Sequence, residues 1–449
     1  MIALLVNVAL KRVSYVYNMA MALILASQRP SKMSLIRKFA SLAVLHGATL
    51  LLPLLMYPYL SRKLGPSGFG EFAVSQAIIQ YFILVVDYGF NLSATRDAAL
   101  LAGKKNELTR LFWSVFRAKA ALVALSAATV IGFIFLFPDS QLSHLVILQF
   151  PLVIGAWLFP LWLMQGLEKL TEASTLSIIA RASAVPIVFM LVDDEGDLVW
   201  AALSFGASGI LLAAFGVFMT WRIGLGPATP ASRSDLKERL SQGWPLFLSS
   251  AGGSLYSATN IVLLRLVVPG AEVGYFAAAE KLRTAAIGLI PIMTNVLFPS
   301  SARRIDEDAT SFLHQLTTHS PILVVGALAF IGMIGGAPIF LPLLFGQEMR
   351  PAVLVLQIMA FSALVIPVSH IIGIQFFVAR GYNRHFSYSL IGAGVINLIL
   401  LPLLSFYFKA NGAAVSLLIT EIIIALSLVA LFRKMTRAGA FSHNAPRIS

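Results

Sequence analysis

A chain of 449 residues that is 58% hydrophobic and 12% charged, with a mean hydropathy of +0.85, is far from the roughly 45–50% apolar and about 25% charged of soluble domains. That composition belongs to a polytopic membrane protein. The net charge of +13 and pI near 10.0 would suit nucleic acid only if the basic residues clustered on one soluble face, and the absence of cysteine excludes disulfides, thiol catalysis and iron–sulfur ligation.

Windows of about 20 residues place twelve apolar spans, in chain order, near 39–60, 72–94, 119–137, 144–165, 174–192, 198–220, 244–266, 273–299, 320–343, 352–377, 386–407 and 411–432. The predicted fold class is therefore all-α, polytopic, with about twelve transmembrane helices. The longest connection, Trp221 to Gly243, leaves no room for a soluble catalytic domain and divides the spans six and six. Its Gly224, Gly226, Pro227, Pro230, Ser232 and Ser234 mark a linker. The predicted organisation is an arm over 1–35, an N-lobe over 36–222, a cytoplasmic linker over 223–243, a C-lobe over 244–432 and a tail over 433–449. Gly70-Glu71-Phe72-Ala73 entering span 2 resembles Gly274-Tyr275-Phe276-Ala277 entering span 8, 204 positions later. Six spans per copy keep both copies in one orientation, so the two lobes are expected to be parallel repeats.

Alternate connections, with Lys119 at the edge of span 3, carry 25 of the 33 Lys and Arg on one side, including Lys104, Lys105, Arg110, Arg117, Lys119, Arg239 and Arg433, against 5 on the other: Arg62, Lys63, Arg265, Arg350 and Lys409. The positive-inside rule then places both termini in the cytoplasm, and the basic excess reads as topology and attraction to anionic lipid. Ahead of the spans, Lys11-Arg12 and the apolar Val13–Ala26 have the form of a signal peptide. Cleavage there would export Arg37 and Lys38 against the charge bias. The expectation is instead an upstream translational extension, with Met33 as the working start.

Prolines interrupt many spans (Pro53, Pro58, Pro151, Pro160, Pro186, Pro291, Pro338, Pro342, Pro367, Pro402), each removing a helix hydrogen bond and permitting a kink. Gly252, Gly253, Gly392 and Gly394 are expected to let helices approach closely. Charged groups inside spans are few: Asp87, Arg181, Glu280, Lys281, Arg283 and Glu421. Such groups are expensive in lipid and usually face a cavity. Glu280 and Arg283 share a helical face and can neutralise each other, while Lys281 and Arg283 can also meet an anionic headgroup, Arg being suited to bidentate phosphate contact. Asp87 and Arg181 can equally snorkel from span ends. Uncharged polar groups (Gln76, Gln80, Asn91, Gln149, Gln165, Asn260, Asn295, Gln375, Asn397) either tie helices together or line a cleft for hydroxyl-rich cargo. His46 and His370 read as helix-to-helix hydrogen bonds. Zinc, nucleophile-elbow and phosphate-loop signatures are absent, and Gly103-Lys104-Lys105 lacks the other members of a phosphate loop. The acidic run at Asp193, Asp194, Glu195 and Asp197 reads as a solvated turn. No cofactor or metal is expected.

The stretch Leu64-Gly65-Pro66-Ser67-Gly68-Phe69-Gly70 followed by Asp87-Tyr88-Gly89-Phe90-Asn91-Leu92-Ser93-Ala94-Thr95-Arg96 resembles the opening of the O-antigen flippases, the Wzx or RfbX-like polysaccharide transporters. Pro160-Leu161-Trp162, Gln165-Gly166-Leu167-Glu168-Lys169, Gly373-Ile374-Gln375 and Gly412-Ala413-Ala414 with Glu421 resemble later segments, so the likeness covers roughly residues 36–432. It implies a V-shaped, MATE-like fold of the multidrug/oligosaccharidyl-lipid/polysaccharide (MOP) superfamily in a bacterial inner membrane. The implied cargo is an undecaprenyl-diphosphate-linked repeat unit, moved to the periplasmic face by alternating access, with membrane lipids, an O-antigen polymerase and a chain-length regulator as partners. Burying an unpaired hydroxyl in hydrocarbon costs roughly 4–8 kcal/mol, so a glycan needs a polar passage. Arg181, Lys281 and Arg283 are the expected contacts to diphosphate or acidic sugars, Gln76, Asn91, Gln165 and Gln375 the expected sugar contacts, and Asp87 and Glu421 the ion-coupling candidates. The alternatives are a cation-coupled multidrug antiporter of the same superfamily and a membrane-embedded polymerase, ligase or acyltransferase acting on lipid-linked sugar.

Overall fold

With no water in the bilayer core, each span must satisfy its own backbone, and helices do so. The computed structural model describes residues 32–138, 140–227, 238–241, 243–244, 247, 259–303 and 311–437. It divides into two units, Met1–Ala48 and Thr49–Ser449. Of the first, only helical backbone from Lys32 is described, so the signal-like segment, Met33's role and His46 lie outside the described side chains, as do Gly252 and Gly253.

Among the described residues there are no strands, and nine helical stretches are long and apolar enough to cross a membrane. The first half comprises α1 (Lys32–Asp87), α2 (Phe90–Leu100), α3 (Lys105–Leu136), α4 (Gln141–Gln149), α5 (Pro151–Leu158), α6 (Leu161–Gly166), α7 (Leu170–Ala182), α8 (Ala184–Leu191) and α9 (Leu198–Ile223). After a helical stretch at 259–267, the second half comprises α10 (Gly270–Ile287), α11 (Leu289–Arg303), α12 (Phe312–Thr318), α13 (Ser320–Phe345), α14 (Ala352–Ala360), α15 (Ser362–Ser369), a π-helical turn over His370–Phe377, and α16 (Asn383–Arg437).

Nine stretches and twelve predicted spans are compatible. Spans 1 and 2 run into one another through α1, interrupted only at Gly65 (φ 64, ψ 176), and spans 11 and 12 through α16, interrupted at Lys409 (φ 52, ψ −131). Most of span 7 lies outside the described residues. A single residue at positive φ, Gly65 or Lys409, is enough to turn the chain at each of these places.

Pro151 and Pro160 split span 4 into α4, α5 and α6, and Pro367 precedes the π-helical turn, where the proline has withdrawn a hydrogen bond. Close helix approach is made at other glycines than expected. A Cβ on Gly392 or Gly394 would meet nothing, whereas on α9 one at Gly206 would lie 2.0 Å from the Leu148 carbonyl and one at Gly216 2.3 Å from that of Leu158. Those contacts press α9 against α4 and α5, as small residues do between membrane helices.

The apolar cores divide unevenly. One cluster joins both halves, with Leu60, Phe69 and Phe72 packed among residues that include Val273, Phe276 and Phe345. Its members flank the connections bearing Arg62, Lys63, Arg265, Arg350 and Lys409, which define the low-charge end of the bundle. Among the described residues the buried clusters toward the basic end each stay within one half: one runs from Ile79 to Leu163 in the first, and another from Ile290 to Phe432 in the second.

Candidate functional site

At the low-charge end the halves meet reciprocally. A Cβ on Gly70 would fall 2.0 Å from the Gly270 carbonyl, and one on Gly274 would fall 2.0 Å from the Pro66 carbonyl. Residues 66 and 270, like 70 and 274, are 204 positions apart, so each half presents the same pair of positions to the other, as in a two-fold interface. Polar contacts reinforce the junction. Arg265 Nε donates to Glu71 at 2.7 Å. Ser61 Oγ donates to the Phe345 carbonyl at 2.9 Å, and Arg62 Nε to the Leu344 carbonyl at 2.8 Å, with its Nη2 on Leu343. The first half thus caps the last turn of α13, where carbonyls lack helical partners and cations are favoured.

Between this junction and the basic end, spans 2 and 8 carry most of the polar groups predicted from sequence. Arg283 is buried and makes a two-pronged ion pair with Glu280, Nε to Oε2 at 2.7 Å and Nη2 to Oε1 at 2.8 Å; its Nη1 reaches Ser362 at 3.3 Å. Glu421 lies within electrostatic reach of Arg283 and Glu280. Lys281, one residue from that pair, turns away and sits over the Tyr57 ring at 4.2 Å, a cation–π contact that joins spans 8 and 1. On the opposite seam, Tyr81 of span 2 hydrogen-bonds Thr259 of span 7.

Other predicted residues serve the walls. Gln76 donates to Gln149 at 2.5 Å, and Gln149 to Ser75 at 2.6 Å, which ties span 2 to span 4. Gln375 is fully buried and donates to the Thr294 carbonyl at 2.6 Å, while His370 Nδ1 and Thr294 Oγ1 are 2.9 Å apart. Asn397 joins Asn260, Ser416 and Thr420. Asn91 is half-buried just past the break at Tyr88 (φ 40) and Gly89 (φ 76). Arg181 and Gln165 are exposed, Arg181 in the last turn of α7 and Gln165 near the end of α6. The structure brings Arg283, Glu280 and Glu421 together with Lys281 beside them, and brings neither Arg181 nor Gln165 into their hydrogen bonds.

One residue sequence reasoning misplaced is Lys119. It was counted among the loop charges of the basic side, yet it lies inside α3 with its side chain 3% exposed, donating to Asp87 at 3.1 Å and to the Ala156 carbonyl at 2.7 Å. Asp87 is therefore half of an ion pair inside the first half. A lysine at the apparent start of a span looks identical in sequence whether it snorkels or turns inward. The quoted motifs also have packing reasons: a Cβ on Gly166 would lie 2.6 Å from that of Ala98, and Thr95 donates to the Trp162 carbonyl at 3.1 Å, so α6 seats against α2. At the basic end, the connector docks through Arg239 on Asp97 at 2.9 Å, and Trp244 and Phe247 at the start of span 7 lie against Tyr88 at the end of span 2.

Residues 35–304 match the family described as polysaccharide biosynthesis protein. The chain belongs to that family. It is 33% identical over 409 residues to a protein of Escherichia coli (strain K12) named for O-antigen transport, covering 90% of this chain and 97% of that one, and 26% identical to a Shigella dysenteriae protein of the same name, covering 86% and 97%. Among solved structures, it is similar to the lipid II flippase MurJ in an inward closed conformation (TM-score 0.70, 14% identity, 89% and 91% covered). It also resembles an inward-facing multidrug resistance MATE transporter of the MOP superfamily (TM-score 0.66, 15% identity, 88% and 96% covered). The chain has the MOP fold and is a multi-pass membrane transporter of the polysaccharide biosynthesis family, not an enzyme. The polymerase, ligase and acyltransferase reading is thereby overturned.

Proposed function

We propose that this family protein flips an undecaprenyl-diphosphate-linked O-antigen repeat unit from the cytoplasmic to the periplasmic face of a bacterial inner membrane. The observation that carries this reading is the uneven core: among the described residues one buried apolar cluster joins the halves at the low-charge end, while the buried clusters toward the basic end each stay within one half, the contacts of Trp244 and Phe247 on Tyr88 apart. Under the positive-inside rule the basic end is cytoplasmic, so a cavity between the halves would admit cargo from the side where lipid-linked sugars are assembled. Rocking about the junction would then expose it on the other side.

In this mechanism the sugars and diphosphate occupy the cavity while the polyprenyl chain stays in lipid. Lys281 is the best-placed cation for the diphosphate, because its ammonium is held only by an aromatic face. Arg283 joins it by exchanging Glu280 for phosphate. Asn91 offers a sugar contact, whereas Gln76 and Gln375 hold the walls of the passage, and exposed Arg181 and Gln165 would meet cargo on its approach. Glu421, within electrostatic reach of the Glu280–Arg283 pair, remains the ion-coupling candidate, and Asp87 acts through Lys119. A basic span 8 suits an anionic headgroup and opposes a cationic drug. Purified protein in vesicles is expected to move undecaprenyl-diphosphate-linked trisaccharide between leaflets, and imposed proton or sodium gradients would reveal coupling. Absence of leaflet exchange above protein-free vesicles under either gradient would overturn the proposal.

A further inference from the structure

Spans 2 and 8 carry matching polar ladders whose role the ion pairs and wall contacts leave open. Gln80 is exposed midway along span 2, and 204 positions later Thr284 is exposed midway along span 8. The same displacement carries half-buried Asn91 onto exposed Asn295. The flanks of each ladder are taken: Tyr81 reaches span 7 and Gln76 reaches span 4, while Lys281 reaches span 1 and Arg283 reaches Ser362. With about 3.6 residues per turn, Gln80 and Thr284 thus project between the core of their own half and the seam with the other. Many exposed positions elsewhere in the spans are apolar, as at Leu328, Ile331, Ile399 and Leu426, and the exposed Thr129 and Thr175 return their hydroxyls to the carbonyls of Leu125 and Thr171 in their own helices. An amide or hydroxyl turned to lipid would forfeit its hydrogen bonds, and Thr284 makes only a long 3.4 Å contact to Glu280.

We propose that Gln80 and Thr284, with Asn91 and Asn295 toward the basic end, form two glycan-binding ladders that line the cavity between the halves and select which sugars pass. This rests on the lipid-linked glycan reading above. The four side chains are uncharged donors and acceptors, suited to neutral hydroxyls, whereas the anionic headgroup goes to Lys281 and Arg283. Each ladder covers eleven positions, interrupted at Tyr88 and Gly89 in one half and at Gly288 in the other; at helical rise that is on the order of 16 Å, so each ladder reaches several consecutive sugar rings, and the two-fold relation offers similar chemistry from both sides.

Because the chain contains no cysteine, Gln80→Cys and Thr284→Cys in the full-length protein in native membranes report directly on water access. Both are expected to react with a hydrophilic, membrane-impermeant maleimide added from the basic side, with Leu328→Cys unreactive. Failure of both to react overturns the ladder. Transport in vesicles then compares undecaprenyl-diphosphate carrying one hexose with the same lipid carrying a trisaccharide. A neutral hydrogen bond is worth about 2- to 10-fold, so Gln80→Leu, Thr284→Val and Asn295→Leu should each slow the trisaccharide by about that factor more than the single hexose. Lys281→Gln should slow both cargoes alike. Variants that treat the two cargoes as wild type does overturn the ladder and leave the transport reading standing; a wild type that moves neither cargo overturns the transport reading, and the glycan assignment with it.

Discussion

Arg283 shows why a charge inside a span is hard to interpret from its letter. The i,i+3 spacing to Glu280 allowed either self-neutralisation or cargo contact, and the ion pair at 2.7 and 2.8 Å makes the first the resting arrangement. Replacement of Arg283 alone would leave Glu280 buried without its partner, so Arg283→Gln is expected to lower protein yield as well as export. The Glu280→Gln/Arg283→Gln double variant should restore yield without restoring surface O-antigen. Lys281→Gln, which disturbs no ion pair, should reduce surface O-antigen at normal insertion; unchanged export would remove it from the site. At Lys119, loss of a buried ammonium that serves both Asp87 and the Ala156 carbonyl should cost about 1–3 kcal/mol. Lys119→Met is therefore expected to melt roughly 5 °C lower in detergent, with Asp87→Asn/Lys119→Met recovering part of the loss.

Helix positions were the most legible feature of the chain. The span predicted at 198–220 is α9, Leu198–Ile223, and that at 320–343 is α13, Ser320–Phe345, because a run of apolar residues long enough to cross hydrocarbon leaves the backbone no alternative to a helix. Helix ends were less legible. Span 3 begins fourteen residues before its predicted start, at Lys105 in α3, since hydropathy ignores the polar turns that extend beyond the lipid. Contact between elements was not legible either, as the glycines show: the side chain across from each one decides whether it is a spacer or merely small. The Gly70·Gly270 and Gly274·Pro66 approaches make the low-charge junction testable. A Cβ on Gly270 would lie 3.0 Å from Ser67 Oγ, so the Ser67→Cys/Gly270→Cys pair should oxidise readily, lock this end shut and abolish transport until reduced. Full transport by the cross-linked protein would show that this end does not open.

For the whole molecule, charge bias and repeat make separate claims. The bias of Lys and Arg predicts cytoplasmic termini by the positive-inside rule; a C-terminal fluorescent protein fusion is expected to be bright and an alkaline phosphatase fusion inactive, and the opposite pair of results would invert the direction of transport. The repeat expected from four residues, Gly-Glu-Phe-Ala against Gly-Tyr-Phe-Ala, acquires physical content from the reciprocal backbone contacts at the same offset. A cell lacking the protein should accumulate lipid-linked repeat units on the cytoplasmic leaflet.

Sequence alone determined that the chain spans a membrane many times and carries no catalytic signature, and its motifs matched it to polysaccharide transporters. All of these follow from local composition, periodicity and short motifs, which persist whatever the helices pack against. Tertiary structure alone decided that Lys119 turns inward, that Gln76 and Gln375 bind neighbouring helices, that Arg283 is held by Glu280, and that the halves share a buried core at the low-charge end. Those outcomes depend on which groups from distant parts of the chain lie within hydrogen-bonding or van der Waals distance, and in a bilayer a polar side chain settles wherever such a partner or water is found.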